Sequence, residues 1–254
     1  MEEEVQEHWD SYIASYEEGK PGLTTLRMDL IETAPEADYP FALITGFNFG
    51  GEREDGFPEE RDLQAVHDTS DAIVGFMEQN FDCIHVASFM YDFQRMEYFY
   101  LKEKNNVEQG LNKLYESQLP GYECYISIEE DKDWALYQEF LFPTDEIMHH
   151  MYDQKVVLHL EEAGDNLLAS RRIDHWVFFA HQDDLERFSG EVAKQGFKVE
   201  GTSESDDKEL PLQVQVWRND VPELDTIFPV TSGLRQLAED FNGSYDGWET
   251  VVTK

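Results

Sequence analysis

Ile173-Asp174-His175-Trp176-Val177-Phe178-Phe179-Ala180 reads as a dense apolar β-strand, and Tyr245-Asp246-Gly247-Trp248-Glu249-Thr250 closes the same third of the chain. What separates these two runs decides the fold. Asp183 or Asp184 is placed to cap a helix with Leu185, Phe188, Val192 and Ala193 on one side, and Gly196 ends it. Phe197 to Thr202 is a strand, Ser203 to Glu209 an acidic loop, and Leu212, Val214 and Val216 alternate in a further strand. A second helix carries Ile227, Val230, Leu234, Leu237, Ala238 and Phe241. Pro229 fits it only if the helix starts near Thr226, where the first amides lack an intrahelical partner. Asn242-Gly243 stops it, and a last strand runs from Gly247 to Thr253. The order strand, helix, strand, strand, helix, strand is the split βαβ plan of a ferredoxin-like sandwich.

Working back toward the N-terminus, the same order recurs. Val5, Trp9, Tyr12, Ile13 and Tyr16 have the spacing of an amphipathic helix over 3–17, and Leu23 to Ile31 is an extra strand. Phe41 to Phe47 is a strand, and Leu63, Val66, Ile73, Val74 and Met77 mark a helix from Pro58 to Gln79. Strands over Asp82 to Tyr91 and Arg95 to Lys102 join in a hairpin at Asp92-Phe93-Gln94. Both faces of the first of them are mostly apolar, so it is expected to be covered on both sides. Asn105-Asn106 offers an N-cap for a helix through Val107, Leu111, Leu114 and Tyr115. Tyr122, Cys124, Ile126 and Ile128 then alternate with polar residues in one more strand, and a short helix after Asp131 ends at Phe142-Pro143. In this plan the last strand lies beside the first and the second at the far edge, which separates Cys83 from Cys124. Thr144 to Gly164 is helical. The expectation is therefore an α+β chain of two ferredoxin-like α/β sandwich domains in tandem, with antiparallel sheets. They occupy 1–143 and 164–254, joined by a helical linker over 144–163.

Composition bounds the function. With 41% hydrophobic and 13% aromatic residues the chain can fill packed cores, which excludes wholesale disorder. No run approaches the roughly 20 apolar residues of a membrane helix, and the acidic start Met1-Glu2-Glu3-Glu4 does not read as a secretory signal, so a cytoplasmic protein is expected. The 55 acidic residues against 19 basic ones leave a formal net charge of -36, which repels nucleic acid and anionic lipid and favours encounter with a basic protein surface.

No stretch announces a catalytic site. The glycine-rich loop from Gly50 to Pro58 carries Glu52, Glu54 and Asp55 and lacks a phosphate-binding lysine, so it reads as a connection. Glu146, His149, His150 and Asp153 are ligand-type residues close in sequence, but adjacent histidines diverge by about 100° on a helix, and an exposed polar face is the expected reading. No catalytic residue, metal ligand or cofactor-binding residue is assigned, and no cofactor is expected.

The run Gly164-Asp165-Asn166 followed by Arg171-Arg172-Ile173-Asp174-His175-Trp176, then Gln195-Gly196-Phe197, Leu234 to Ala238 and the closing Tyr245 to Thr250, resembles RraB-like domains. Upstream, Tyr39-Pro40, Gly56-Phe57-Pro58, Glu97-Tyr98-Phe99-Tyr100 and Glu130 to Trp134 resemble the domain of unknown function 695. The first resemblance implies a protein inhibitor of ribonuclease E that acts by binding the enzyme. The second implies no known activity. Together with the charge, these imply a non-catalytic regulator that docks on a basic protein, with ribonuclease E or another ribonuclease as partner. The rival reading is an enzyme or small-ligand binder with a cleft between the domains. The candidate partner-binding residues are Asp174, Trp176, Tyr245, Asp246, Trp248 and Glu249. The bland reading of the last four is that Asp246-Gly247 turns the chain into its final strand while Tyr245 and Trp248 seal the sheet edge.

Overall fold

The described residues, 7–254 of a computed structural model, build two antiparallel sheets of six and four strands in an α+β protein. They divide into two units, Met1–Thr144 and Asp145–Lys254.

In the first unit, strands β1 (Trp9–Ser15), β2 (Pro21–Arg27) and β3 (Phe41–Asn48) precede helix α1 (Glu60–Asn80). Strands β4 (Cys83–Tyr91) and β5 (Gln94–Leu101), helix α2 (Val107–Gln118) and strand β6 (Glu123–Glu130) follow. The sheet order is β1-β2-β4-β5-β3-β6. The last strand does lie beside β3, but β4 is not at the far edge: β2 and β1 extend the sheet beyond it. The expected N-terminal helix is a strand, with Val5 outside the described residues. Trp9, Tyr12, Ile13 and Tyr16 satisfy helical spacing, yet Tyr12 is buried between exposed Ser11 and Ile13, the period-two signature of a strand. Asn106 adopts a left-handed conformation (φ 62°) before α2 and makes no side-chain cap.

Both faces of the central strands are covered, as the two apolar sets in β4 imply. On one side Leu43, Phe47, Phe99 and Leu101 pack with Val66, Ile73 and Met77 of α1 and Leu111 and Leu114 of α2. Elsewhere in the unit the Trp134 ring stacks on Tyr100 at 3.9 Å and 10°, next to a short π-helical turn over Leu136–Leu141. Asp131 organises that turn: its carboxylate accepts from the Tyr100 hydroxyl at 2.6 Å and from the amides of Ala135 and Leu136. Cys83 and Cys124 are free thiols.

The second unit runs α3 (Asp145–Glu162), β7 (Arg171–Phe179), α4 (Gln182–Lys194), β8 (Lys198–Glu204), β9 (Leu212–Asp220), α5 (Leu224–Asp240) and β10 (Gly243–Thr250). Its sheet order is β10-β7-β9-β8, so the last strand lies beside the first and the second is at the far edge. Val177, Phe179, Val214 and Val216 point to the helix side and pack with Leu185, Phe188, Leu234 and Ala238. Burying each of these large side chains contributes about 1.5–3 kcal/mol. The helix expected to join the halves packs within this unit, where Val157 and Leu160 of α3 meet Ile173, Ile227 and Trp248.

Three local expectations are corrected. His181, not Asp183 or Asp184, occupies the N-cap of α4, which puts both aspartates in the first turn near the positive end of the helix dipole. Helix α5 starts at Leu224, so Pro229 is inside it, where it has no amide to donate to Asp225. Strand β10 begins at Gly243 instead of Gly247, and Asp246-Gly247 is not a turn but a register shift within the strand.

Candidate functional site

Strand alternation sorts the second sheet into two faces. Ile173, His175, Val177 and Phe179 of β7 are buried on the helix side, so Arg172, Asp174, Trp176 and Phe178 occupy the other. Cross-strand register adds Gln213, Gln215 and Trp217 from β9, Lys198 from β8, and Glu249 from β10, which pairs with Asp174. Helices α4 and α5 lie on the opposite face, so this one carries no helix of its own unit.

Residues three apart on a regular strand point to opposite faces. Tyr245 pairs with Val177 and Trp248 with His175, both on the helix side, because the register shifts by one between Tyr245 and Gly247. The bulge leaves Asp246 exposed and turns the Trp248 ring inward. The six candidate residues therefore divide: Asp174, Trp176, Asp246 and Glu249 are accessible from the open face, while Tyr245 and Trp248 belong to a buried network behind it. A concavity of about 350 Å³ lies over the bulge, lined by Trp176, Gln213, Asp246, Gly247, Trp248 and Glu249.

The open face is electrostatically paired along its centre. The Asp174 carboxylate accepts from Arg172 at 2.6 Å and from Gln215 at 2.9 Å. Partial burial pushes its carboxyl up, but these bonds and the Arg172 charge outweigh burial and hold it below the usual carboxylate range. The Trp217 indole donates to Glu200 at 2.7 Å, and Arg172 and Lys198 approach its ring at 4.5 and 4.4 Å. Asp246 and Glu249 enter no ion pair among the described residues and present their charge outward. Trp217 and Lys198 are not candidates from the sequence, and Arg172 enters there only within the run that carries the RraB resemblance; the phase opposite to Leu212, Val214 and Val216 is the signal that places Trp217 beside Asp174.

Behind this face Asp153 of α3 is buried, contrary to the exposed polar surface expected there. Its carboxylate accepts from the Trp248 indole at 3.0 Å, from Arg235 at 3.2 and 3.3 Å, and from the Thr231 hydroxyl. Arg235 also lies 4.7 Å from the Tyr245 ring, whose hydroxyl meets His175 Nδ1 at 2.8 Å. The network joins α3, α5, β10 and β7 into one support for the sheet. His175 Nε2 is buried and has no hydrogen-bond partner among the described residues.

A comparable hub occupies the first unit. Fully buried Glu97 accepts from Ser70 at 2.5 Å, Arg95 at 2.9 Å, His85 at 3.0 Å, and Ser88. Burial pushes its carboxyl up, but the His85 hydrogen bond and the Arg95 charge prevail and lower it. His85 Nε2 also faces the Ala87 carbonyl, another acceptor, so this nitrogen carries the proton. Both hydroxyls donate to the carboxylate. The arrangement satisfies one buried charge and has no hydroxyl-to-imidazole relay of the kind that activates a nucleophile. No group of three or more metal-ligating side chains converges among the described residues, and no helix among them is long and apolar enough to cross a membrane.

These features define a two-unit α+β protein whose second sheet has one aromatic and charged face that carries no helix of its own unit. Residues 7–142, more than half of the chain, match the Family of unknown function (DUF695), and the chain belongs to that family. Residues 150–250 match Regulator of ribonuclease activity B, so the second unit is an RraB domain. No curated protein matches the chain. A crystal structure of an unknown protein from Galdieria sulphuraria is 15% identical, covers 84% of this chain and 99% of its own, and has a TM-score of 0.22, too low to support an inference.

Proposed function

We propose that the protein is a cytoplasmic, non-catalytic regulator that inhibits ribonuclease E-type RNA decay by binding the enzyme through the open face of its second sheet. The observation that carries this reading is the match of residues 150–250 to a regulator of ribonuclease activity, a segment that includes the whole of that face. We read both units as ferredoxin-like sandwiches, with β1 and β2 as additions to the first, and the orders β10-β7-β9-β8 and β4-β5-β3-β6 support this reading. Trp176 supplies an aromatic anchor, and Asp246 and Glu249 supply charge complementary to a basic surface. The role of the first unit in this reading is to add negative charge.

The test is cleavage of a fluorogenic RNA by a purified ribonuclease E catalytic domain, titrated with the chain. Inhibition that saturates, with a complex seen by size-exclusion chromatography, is the expected result. Trp176→Ala is expected to weaken it by about 2 kcal/mol, roughly 30-fold, as for an interface anchor. Undiminished cleavage and the absence of a complex at tens of micromolar chain would overturn the proposal.

A further inference from the structure

Strand β6 is a free edge of the first sheet. It pairs with β3 along one side, from Phe41 opposite Glu130 to Asn48 opposite Glu123. Along its other side, alternate residues present N–H and C=O groups that meet no strand among the described residues.

This edge has a hollow on each face. On the helix side, an open hollow of about 390 Å³ lies between Cys124 and Ile126 of β6 and Glu108 and Glu116 of α2. On the opposite side, about 410 Å³ lies over Ile44, Tyr125, Ser127 and Glu129. Each hollow is lined by both apolar and carboxylate side chains: Leu119, Ile126, Glu108 and Glu116 in the first, Ile44, Leu136 and Glu129 in the second. Side chains of an added strand alternate between faces, so one extended peptide on this edge would send successive residues into the two hollows. Arginine or lysine suits both, because the aliphatic stem can cover apolar lining while the cationic head meets a carboxylate.

We propose that the β6 edge of the first unit takes up an extended, arginine- or lysine-rich segment of a partner protein as an additional strand. Main-chain bonds to β6 give affinity, and the two acidic hollows select positive side chains. A second copy of the chain is a poor occupant. Pairing β6 with itself would bring Glu123, Glu129 and Glu130 of two copies together, and like charges across strands repel. The proposal concerns a different surface from the open face of the second sheet and does not rest on the ribonuclease reading.

The probe is the peptide RVVRRVVR, whose arginines fall on both faces of a strand, titrated into the isotopically labelled full chain and followed by backbone amide NMR. Shifts are expected to concentrate on residues 123–130. N-methylation of alternate peptide residues, which removes strand hydrogen bonds and keeps the charge, is expected to weaken binding at least ten-fold. So is the peptide EVVEEVVE. The paired variant Glu116→Lys with Glu129→Lys is expected to lower affinity at least ten-fold with an unchanged far-ultraviolet spectrum and a melting temperature no lower than that of the unsubstituted chain. Equal binding of the N-methylated peptide would reduce the contact to diffuse charge attraction and overturn the proposal. Shifts centred elsewhere, no binding of RVVRRVVR, or concentration-dependent dimers sealed through β6 would overturn it equally.

Discussion

Asp153 shows how much one side chain can carry. It is the acceptor for groups from α5 and β10, and Arg235, itself only 8% exposed, has its charge matched there. Asp153→Ala leaves that guanidinium buried without a counter-charge, a change that costs about 3–5 kcal/mol. Trp248→Phe removes the indole N–H and shrinks the buried ring, for about 1–2 kcal/mol. Urea unfolding at neutral pH checks both, and equal losses would contradict the hub role of the carboxylate. His175 gives a pH signature. Burial, reinforced by Arg218 and Arg235 and opposed by Asp174, lowers its pKa to about 3, against about 6.5 when unfolded. The folded state thus holds His175 neutral while the unfolded chain takes up a proton below about pH 6.5. Its contribution to stability is complete above that pH and is lost as pH falls toward 3. His175→Gln, which can still meet the Tyr245 hydroxyl, is expected to flatten the slope of unfolding free energy between about pH 6.5 and 4.5. An unchanged slope would show that His175 does not titrate in this way.

At the scale of elements, one-residue bulges bring polar groups together. The shift at Asp246 places Tyr245 and Trp248 on one face of β10, and a shift between His85 and Ala87 does the same for His85 and Ser88, both of which reach Glu97. Deleting Asp246 removes the extra residue, so Tyr245 and Trp248 become two apart in a regular strand and both stay on the helix side. The expected result is a retained Trp248–Asp153 bond and unchanged tryptophan emission. A red-shifted emission with destabilisation beyond about 3 kcal/mol would refute the reading of Asp246 as the one extra residue. In α5, exposed Pro229 can be replaced at no packing cost, and Pro229→Ala is expected to stabilise by up to about 3 kcal/mol because it restores an amide donor for Asp225. The same features explain what was legible in the sequence. Period-two runs such as Leu212 to Val216 and period-three-to-four runs such as Leu185 to Val192 depend on the chain alone, and both strands and helices appear where they imply. Trp9 to Tyr16 fits either period, and only pairing with β2 decides it. Asp-Gly signals a turn as readily as a bulge, so the inward Trp248 was hidden. Asp174 and Trp176 are named in a strand that reads as apolar throughout, and the alternation of β7 puts both on one face, whereas the burial of Asp153 depends on partners some 80 to 95 residues away.

For the whole molecule, a net charge of -36 acts on stability and on binding with opposite sign. Acidic residues outnumber basic ones in both units, so folding brings like charges closer together across each surface. At about 10 mM salt the screening length is about 30 Å, on the scale of a whole domain, and near 0.15 M it is about 8 Å, on the scale of neighbouring side chains. Raising salt across this range should relieve self-repulsion while leaving buried pairs such as Asp153–Arg235 almost unscreened. The melting temperature is therefore expected to rise with sodium chloride. Attraction between the same surface and a basic partner is screened over the same distances, so partner affinity is expected to fall, mainly through a slower association rate. Calorimetric melts and stopped-flow binding in matched buffers separate the two effects. A melting temperature that falls with salt would mean that surface ion pairs, not repulsion, dominate the folded state. An association rate indifferent to salt would mean that the acidity serves solubility and that docking relies on the aromatic and main-chain contacts.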